Sequence, residues 1–379
     1  MRQRHDLIAA SIRTVGTRRF SILAASVLTV ICLLVPKPAQ AVQYTITDLG
    51  TLGGSESYAY SINNNGQAVG YSNPAGSTVW HAFLYSGGVM KDLGTLGGTH
   101  SVATGINASG QVAGYSFPGI TAFHAFRYSG GLMQDLGAPD RTESLAHGIN
   151  VSGQVIGELD FPDGAVHPFL YSGGVMQDLG TLGGTVAHAY AINAGGQVVG
   201  DSTPAGSAYG HAFLYSGGVM QDLGTLGGRW SGALAINESG QVAGWSDITG
   251  STGSHAFLYR DGVMQDMGTL GGTRSMAYGI NANGQVVGRS YLAGSTTWHA
   301  FLYSGGAMLD LNDLVAADSG WRLSEARAIN DLGQIIGTGT NPAGQRHAFL
   351  LTPVPEPATL SLLAIGGLAV KWRPKRRMR

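Results

Sequence analysis

The chain has 379 residues, of which 60 are glycine and only 12% are charged, and its formal net charge at pH 7 is −1. Basic residues are concentrated at both ends, so residues 42–353 hold ten basic and 21 acidic residues, which argues against nucleic acids and anionic lipids as partners. The single cysteine, Cys32, lies near the N-terminus, which leaves residues 42–353 without a disulfide framework, a thiolate metal site or a cysteine nucleophile.

Residues 1–41 have the organisation of a secretory signal peptide. A basic opening stretch precedes the apolar residues 20–35, and a small-residue site ending in Ala39 and Ala41 follows. The apolar run is shorter than the roughly 20 residues that span a membrane. We therefore expect signal peptidase to cleave after Ala41, and an uncleaved membrane anchor is the alternative.

Residues 42–353 contain seven copies of one repeat, with spacings of 44, 43, 43, 44, 44 and 49 residues. Three signatures recur: IN-x-x-GQ, His-Ala-Phe (once His-Pro-Phe) and Asp-Leu-Gly or a near variant. The signature asparagines are Asn63, Asn107, Asn150, Asn193, Asn237, Asn281 and Asn330. The histidines are His81, His124, His167, His211, His255, His299 and His347. The aspartates are Asp48, Asp92, Asp135, Asp178, Asp222, Asp266 and Asp310.

Each repeat contains four short runs rich in β-branched and aromatic residues. In the first copy these runs are residues 57–63, 67–72, 80–86 and 89–94, with an exposed loop at residues 73–79. A period in the forties with four strands per unit is typical of a propeller blade. The sequence therefore predicts an all-β fold, a seven-bladed β-propeller of four-stranded blades.

The order of the strands predicts how the ring closes. The repeat region opens with a fourth strand at residues 44–50 and ends with a third strand at residues 347–351. The N-terminal strand would complete the last blade and remove an exposed sheet edge. An open solenoid is the alternative. The longer linker before the last unit, which contains Trp321, is expected to hold a short helix.

These signatures resemble the HAF repeat of bacterial extracellular proteins over essentially all of residues 42–352. The resemblance implies an extracellular location, and no common biochemical activity defines that family.

Residues 354–379 form a three-part tail. Pro355, Glu356 and Pro357 precede a short apolar stretch, and a basic string closes the chain. The tail resembles the PEP-CTERM sorting signal, which exosortase recognises in Gram-negative bacteria that make exopolysaccharide. The resemblance implies export across the inner membrane, an exosortase-type partner, and delivery to the cell surface or beyond. The apolar stretch is thinner as a helix than the roughly 30 Å hydrocarbon core, which favours a transient membrane segment.

The repeated polar residues are predicted to be structural. Equivalent positions in a seven-fold ring lie on a circle, so the histidines cannot share one zinc ion at about 2 Å. The asparagines are expected to cap the first hairpin of each unit, and the aspartates to accept from turn amides. We predict no metal and no cofactor, with a ring of calcium sites as the alternative.

The sequence contains none of the common catalytic motifs. A hydrolase would require residues that break the repeat, and the third unit supplies Glu143, Glu158, Asp160 and Asp163. We predict a non-catalytic protein, with a propeller glycoside hydrolase or polysaccharide lyase as the alternative.

Positions that vary inside the constant frame are candidates for ligand binding. Aromatic residues at two such positions suit stacking on sugar rings: Trp80, Phe123, Tyr209 and Trp298 before His-Ala-Phe, and Tyr71, Tyr115 and Trp245 in the second strand. A third variable position, just before the small residue preceding Ile-Asn, holds Tyr60, Thr104, His147, Tyr190, Leu234, Tyr278 and Arg327. The alternative is that these side chains pack between blades or drift on the surface. We expect an exported monomer that binds or organises extracellular polysaccharide in a biofilm or floc.

Overall fold

The computed structural model describes residues 43–119, 122–137, 143–250 and 253–355. These residues form 28 β-strands and two 3-10 turns. The predicted signal peptide, with Ala39 and Ala41, lies outside the described residues, as do Glu356 and Pro357 of the tail. In the described ranges, no helix is both long enough and apolar enough to cross a membrane.

The strands form antiparallel groups of four, which we number units 1 to 7. Unit 1 holds β2 to β5, at Gly53–Ile62, Ala68–Pro74, His81–Ser86 and Val89–Asp92. Unit 2 holds β6 to β9, at Ser101–Ile106, Val112–Ser116, His124–Ser129 and Leu132–Asp135. Unit 3 holds β10 to β13, at Glu143–Ile149, Val155–Asp160, Val166–Ser172 and Val175–Asp178. Unit 4 holds β14 to β17, at Gly183–Ile192, Val198–Pro204, His211–Ser216 and Val219–Asp222.

The remaining units follow the same order. Unit 5 holds β18 to β21, at Gly227–Ile236, Val242–Ile248, Ser254–Arg260 and Val263–Asp266. Unit 6 holds β22 to β25, at Gly271–Ile280, Val286–Leu292, Trp298–Ser304 and Ala307–Asp310. Unit 7 holds β26 to β28 and also β1, at Arg322–Ile329, Ile335–Thr340, Arg346–Pro353 and Tyr44–Asp48. Units 3 and 4 share one larger sheet through a single parallel pair, Val166 with Val186.

Strands from both ends of the repeat region meet in unit 7. β1 pairs antiparallel with β28, from Tyr44 opposite Pro353 to Asp48 opposite Phe349. The carboxylate of Asp48 lies 2.9 Å from Nδ1 of His347, the same contact that the other units make within one repeat. The N-terminal strand therefore occupies the fourth-strand position of the last unit.

The core of each unit is built around the phenylalanine of His-Ala-Phe. All seven of these rings are fully buried: Phe83, Phe126, Phe169, Phe213, Phe257, Phe301 and Phe349. In unit 1 the ring lies opposite Gly70 of the second strand. A Cβ on Gly70 would lie 1.8 Å from the carbonyl oxygen of Tyr58, so this position requires glycine because the backbones approach closely.

Strand boundaries differ from the prediction at two places. The first strands of four units begin at the Gly-Gly pair rather than four residues later. In unit 1, for example, Gly53 pairs with Pro74, so the pairing of β2 with β3 extends to the Gly-Gly pair. That pairing also extends β3 into the loop predicted at residues 73–79. The predicted helix before unit 7 consists of two 3-10 turns, Leu311–Asp313 and Ala317–Ser319. Trp321 beyond them packs edge-on against Phe349 at 6.2 Å.

Candidate functional site

The signature asparagines connect the units at one end of the first strands. Asn193 accepts a hydrogen bond from the Gln197 amide (3.0 Å), and its side-chain nitrogen donates to Gln197 Oε1 (2.8 Å). The same nitrogen donates to the Asn237 carbonyl of the next unit at 3.2 Å. Equivalent bonds continue through every unit, and Asn330 donates to the Asn63 carbonyl at 3.0 Å. The asparagines thus form an unbroken hydrogen-bonded cycle.

A cavity of about 230 Å³ lies at this asparagine end. Its wall repeats the same residue in each unit, the signature isoleucine: Ile62, Ile106, Ile149, Ile192, Ile236, Ile280 and Ile329. Most of the signature asparagines also line it. The residue after each asparagine completes the lining and varies between units: Asn64, Ala108, Val151, Ala194, Glu238, Ala282 and Asp331.

Each first strand contains a β-bulge three residues before its asparagine. In unit 1 the register shifts between Ala59 and Ser61, which leaves Tyr60 unpaired. The same shift occurs in all seven units. The unpaired residues, called here the bulge residues, are Tyr60, Thr104, His147, Tyr190, Leu234, Tyr278 and Arg327. Bulges re-aim side chains and are frequent beside functional sites.

The bulge residues converge on one cavity. All seven line a space of about 340 Å³ together with Tyr115, and we call this space the bulge pocket. Its volume lies within the roughly 300–1,000 Å³ range of pockets that hold small ligands. The lining contains three tyrosines among the bulge residues, one histidine and one arginine, so its chemistry differs from unit to unit.

Units 3 and 4 hold an acidic cluster, called here the acidic wall, in contact with His147 of the pocket lining. Glu158 Oε2 lies 3.5 Å from His147 Nε2 and 3.9 Å from His188 Nε2. His188 Nδ1 in turn lies 3.3 Å from Asp201 Oδ2. Burial alone would raise the pKa of Glu158, but its contact with His147 and the charge of His188 lower that pKa below its usual value. The hydrogen bond to Asp201 raises the pKa of His188, although burial opposes it.

Units 6 and 7 hold a basic cluster, called here the basic wall, around Arg327 of the pocket lining. Arg327 Nη2 lies 3.1 Å and Arg289 Nη1 3.5 Å from the same oxygen, Oε2 of Glu325. The Arg327 guanidinium lies 4.4 Å from the ring centre of Tyr278 and 5.4 Å from that of Tyr60. Glu325 is almost fully buried, with 7% of its side chain exposed. Two arginines therefore surround one buried carboxylate.

Burial also acts on the tyrosines of the pocket. It raises the pKa of Tyr115 to about 12. It raises the pKa of Tyr190 as well, and the neighbouring Asp201 carboxylate raises it further. The pKa of Tyr278 is raised by burial in spite of the opposing charges of Arg327 and Arg289. These phenols therefore stay protonated at neutral pH and remain hydrogen-bond donors.

The signature histidines lie away from the pocket and pair with the signature aspartates. In every unit the Nδ1 atom of the histidine lies 2.6 to 2.9 Å from an aspartate carboxylate of the neighbouring fourth strand. The aspartate also accepts from a turn amide, as Asp92 does from Gly94 at 2.7 Å. Each signature histidine therefore pairs with an aspartate side chain, and this pair links the third strand to the fourth strand.

The aromatic residues predicted in the second strand lie close to the pocket. Tyr115 lines it, and Tyr71 stacks on Tyr58 with ring centres 4.7 Å apart. Trp245 on β19 lies opposite Gly232 on β18, and a Cβ added to Gly232 would lie 3.0 Å from the indole nitrogen. These rings therefore already have protein partners on one face.

The aromatic residues predicted before His-Ala-Phe are distributed among several other places. Trp80 is 37% exposed and lies 4.1 Å from the His100 ring, and Phe123 meets Tyr115 edge-on at 5.5 Å. Tyr209 lines a separate cavity of about 590 Å³, and Trp298 lines another of about 570 Å³. The structure does not bring the predicted stacking residues together in one site.

Three of the four carboxylates of the irregular third unit, Glu143, Glu158 and Asp160, lie on neighbouring strands of one sheet. Glu143 faces Asp160 across β10 and β11, and Glu143 Oε1 accepts from the Phe123 amide at 3.1 Å. Burial raises the pKa of Asp160, and the charges of Glu158 and Glu143 raise it further. Asp163 accepts from the Ala165 amide at 3.1 Å in a turn. In the described part of the chain, no three His, Cys, Asp or Glu side chains are grouped to hold a metal ion.

The sequence singles out the bulge residues only as one of three variable positions. It does not single out His188 or Glu325, which precede bulge residues by two positions and share their strand face. The signal was available, because alternate residues of a strand point to the same side. The register shift that turns the bulge residues inward has no such signal.

Comparison with known proteins identifies the tail and leaves the repeats unassigned. Residues 353–377 match the PEP-CTERM protein-sorting motif, which marks an exported protein with a C-terminal sorting tail read by exosortase-type processing. No curated protein matches this sequence.

Several solved structures are similar to this chain at low identity. The β-propeller domain of the Trilobed protease from Pyrococcus furiosus is 8% identical with a TM-score of 0.49, covering 79% of this chain and 98% of that one. TolB from Acinetobacter baumannii is 13% identical with a TM-score of 0.43, covering 90% and 72%. The gluconolactonase XC5397 from Xanthomonas campestris is 11% identical with a TM-score of 0.39, covering 84% and 99%. At these TM-scores no property of these proteins is carried over to this chain.

Proposed function

We propose that this chain is a non-catalytic surface or matrix protein of a Gram-negative bacterium that binds extracellular polysaccharide in its bulge pocket. The sorting motif at residues 353–377 supports export and surface delivery. The acidic repeat region, with 21 acidic and ten basic residues, disfavours nucleic acid as the ligand.

The convergence of the seven bulge residues on one cavity carries the proposal. A repeat that only needed to fold would have no reason to direct a variable position inward at every bulge. Tyrosine rings provide apolar faces for pyranose rings, while phenols, imidazoles and a guanidinium provide hydrogen bonds that fix orientation. A sugar chain presents both kinds of surface to a pocket of this composition.

We infer that the units are seven blades of one propeller and that β1 closes the ring. The unbroken asparagine cycle and the pairing of β1 with β28 support this inference. The same proposal includes that the seven units are HAF repeats of the kind found in bacterial extracellular proteins. A closed ring has no free sheet edge, which favours a monomer.

Glycoside hydrolysis of the same polysaccharide is the second candidate. The raised pKa of Asp160, beside Glu143, is the observation that favours it, since a general acid must hold its proton near neutral pH. This pair lies on β10 and β11 and is distinct from the bulge residues.

Binding of the processed protein to exopolysaccharide from the producing strain tests the proposal. We expect Tyr115→Ala with Tyr190→Ala to weaken binding by about tenfold or more, because two stacking faces are lost. Val219→Ala, an exposed position on β17, is the control and should bind as the wild type does. Absence of binding, or equal binding by the double variant at an unchanged melting temperature, would overturn the proposal.

Measurement of reducing ends in the same mixture separates the two candidates. Non-catalytic binding predicts no release of reducing ends. Release that is lost in Asp160→Asn or Glu143→Gln would establish the hydrolase instead.

A further inference from the structure

We propose that the bulge pocket selects a zwitterionic saccharide, one that carries both a carboxylate and a free amino group. This inference rests on the proposed saccharide-binding function and names the ligand class of the same site. It is carried by the opposite charges of the acidic wall and the basic wall, two clusters that reach one cavity through its lining residues His147 and Arg327.

The basic wall retains an unbalanced positive charge. Arg289 and Arg327 share the single carboxylate of Glu325, which leaves one net positive charge. The Nε atoms of both arginines are buried and have no hydrogen-bond partner. The ring of Trp298 holds Arg289 at 4.2 Å, and Tyr278 holds Arg327 at 4.4 Å, so both guanidinium groups are fixed before a ligand arrives. A planar guanidinium cation is the usual partner of a carboxylate.

The acidic wall retains an unbalanced negative charge. Glu158 and Asp201 share His188 as a common partner, so one positive charge on that ring leaves one of the two carboxylates uncompensated. The lowered pKa of Glu158 keeps its carboxylate ionised at neutral pH. A primary ammonium group, with three donors and one charge, matches two neighbouring carboxylates better than a hydroxyl does.

The two walls lie across the pocket from each other. His147 belongs to unit 3 and Arg327 to unit 7, which are three units apart in one direction around the asparagine cycle and four in the other. Both line the same cavity of about 340 Å³. A neutral sugar would leave both walls without a matching charge, and a singly charged sugar would leave one. Only a ligand with both groups compensates the two walls together.

Four tetrasaccharides test this proposal by calorimetric titration of the full exported protein. Cellotetraose carries neither charge, a chitosan tetramer carries amines, and a hyaluronan tetrasaccharide carries carboxylates. The N-deacetylated hyaluronan tetrasaccharide carries both groups on the hyaluronan backbone. Near neutral pH and at low salt, we expect it to bind about tenfold more tightly than each of the other three.

Charge variants assign each preference to its wall. Arg327→Gln should remove the advantage of a carboxylate and leave that of an amine, while Glu158→Gln should do the reverse. Arg260→Gln and Glu238→Gln remove the same charges at exposed positions outside the pocket and should change neither preference. Melting temperatures show whether each variant folds.

The wild-type titrations alone can overturn the inference. Equal affinity for cellotetraose and the zwitterionic tetrasaccharide would contradict it and leave the proposed function standing. Tight binding of one singly charged sugar, with the zwitterion no better, would also contradict it. If neither the four sugars nor the native exopolysaccharide binds, the proposed function fails as well.

Discussion

Two positions three residues apart in each unit, called here the asparagine end and the bulge end, obey opposite rules. At one end the asparagine is identical in every unit, and its side chain makes the same hydrogen bonds each time. At the other end, three residues earlier, the bulge residue differs between most units. The comparison indicates which part of a repeat serves folding and which part is available for function.

The bulge explains how both rules can hold within one strand. A bulged residue is left out of the ladder pairing, so its side chain can change without altering the strand register. The asparagine three residues later fixes the turn and the contact to the next unit, as Asn237 does through Gln241. Fixed geometry at one end therefore permits variation at the other.

The largest expected effect comes from removing β1, the strand that pairs with β28 and joins the two ends of the repeat region. Deleting residues 43–50 removes the five cross-strand pairs of β1 with β28 and the contact of Asp48 with His347. We expect a loss of several kcal/mol in the free energy of unfolding, comparable to the total of about 5 to 15 kcal/mol typical of folded domains. Chemical denaturation measures this loss.

Two controls accompany the deletion. Thr47→Ala, at an exposed position on the same strand, should be nearly neutral. A second copy of Tyr44–Asp48, joined behind β28 by a short turn, should restore stability and a monomeric state. A deletion variant that stayed monomeric with an unchanged melting temperature would contradict closure by β1.

A smaller effect separates the two ends of one strand. Asn237 is buried and its side chain makes four hydrogen bonds within its own turn and one to the next unit, so Asn237→Ala should cost about 2 to 4 kcal/mol. Leu234→Ala, at the bulge of the same strand, should cost about 1 kcal/mol or less, since its side chain is only partly buried. Thermal unfolding of both variants gives the comparison. Equal costs would show that the bulge end is as structural as the asparagine end.

Much of the fold is predictable because the same pattern of strands and turns occurs in all seven repeats. The all-β class and four antiparallel strands per unit are confirmed. The signature residues predict strands and turns because glycine, asparagine and β-branched residues restrict or permit the backbone conformation at their own positions. The strand at residues 44–50 predicts a partner at the other end of the chain, and β1 lies beside β28.

The site is less predictable, for a physical reason. The sequence singles out Trp80, Tyr209 and Trp298 as aromatic, yet Trp80 and Tyr209 precede third strands, Trp298 begins one, and none of the three is among the lining residues of the bulge pocket. Tyr190 and Arg327 enter the pocket because the backbone changes register, and no residue type specifies that shift. The charges that matter come from pairs such as Glu158 with His188, which belong to different units. Contacts between units cannot be seen in one repeat.

The smallest expected effect is a pH dependence confined to the variable end. The pKa of Glu158 is lowered by folding, so its contribution to stability is present above its unfolded pKa and is lost as pH falls through its folded pKa. The pKa of His188 is raised, so its contribution is complete below its unfolded pKa and is lost as pH rises through its folded pKa. The two groups therefore stabilise the protein over overlapping but different pH ranges.

Denaturation across pH distinguishes these contributions. The stability lost in Glu158→Gln should be constant near neutral pH and should shrink in acid, where the wild-type carboxylate takes up a proton. The stability lost in His188→Gln should be largest in mild acid and should shrink toward alkaline pH. Because Glu158 and His188 are 3.9 Å apart, each variant should also move the other group's titration toward its ordinary pKa. If the stability lost in each variant did not change with pH, these side chains would act by packing alone. The acidic wall would then carry no charge that attracts a ligand.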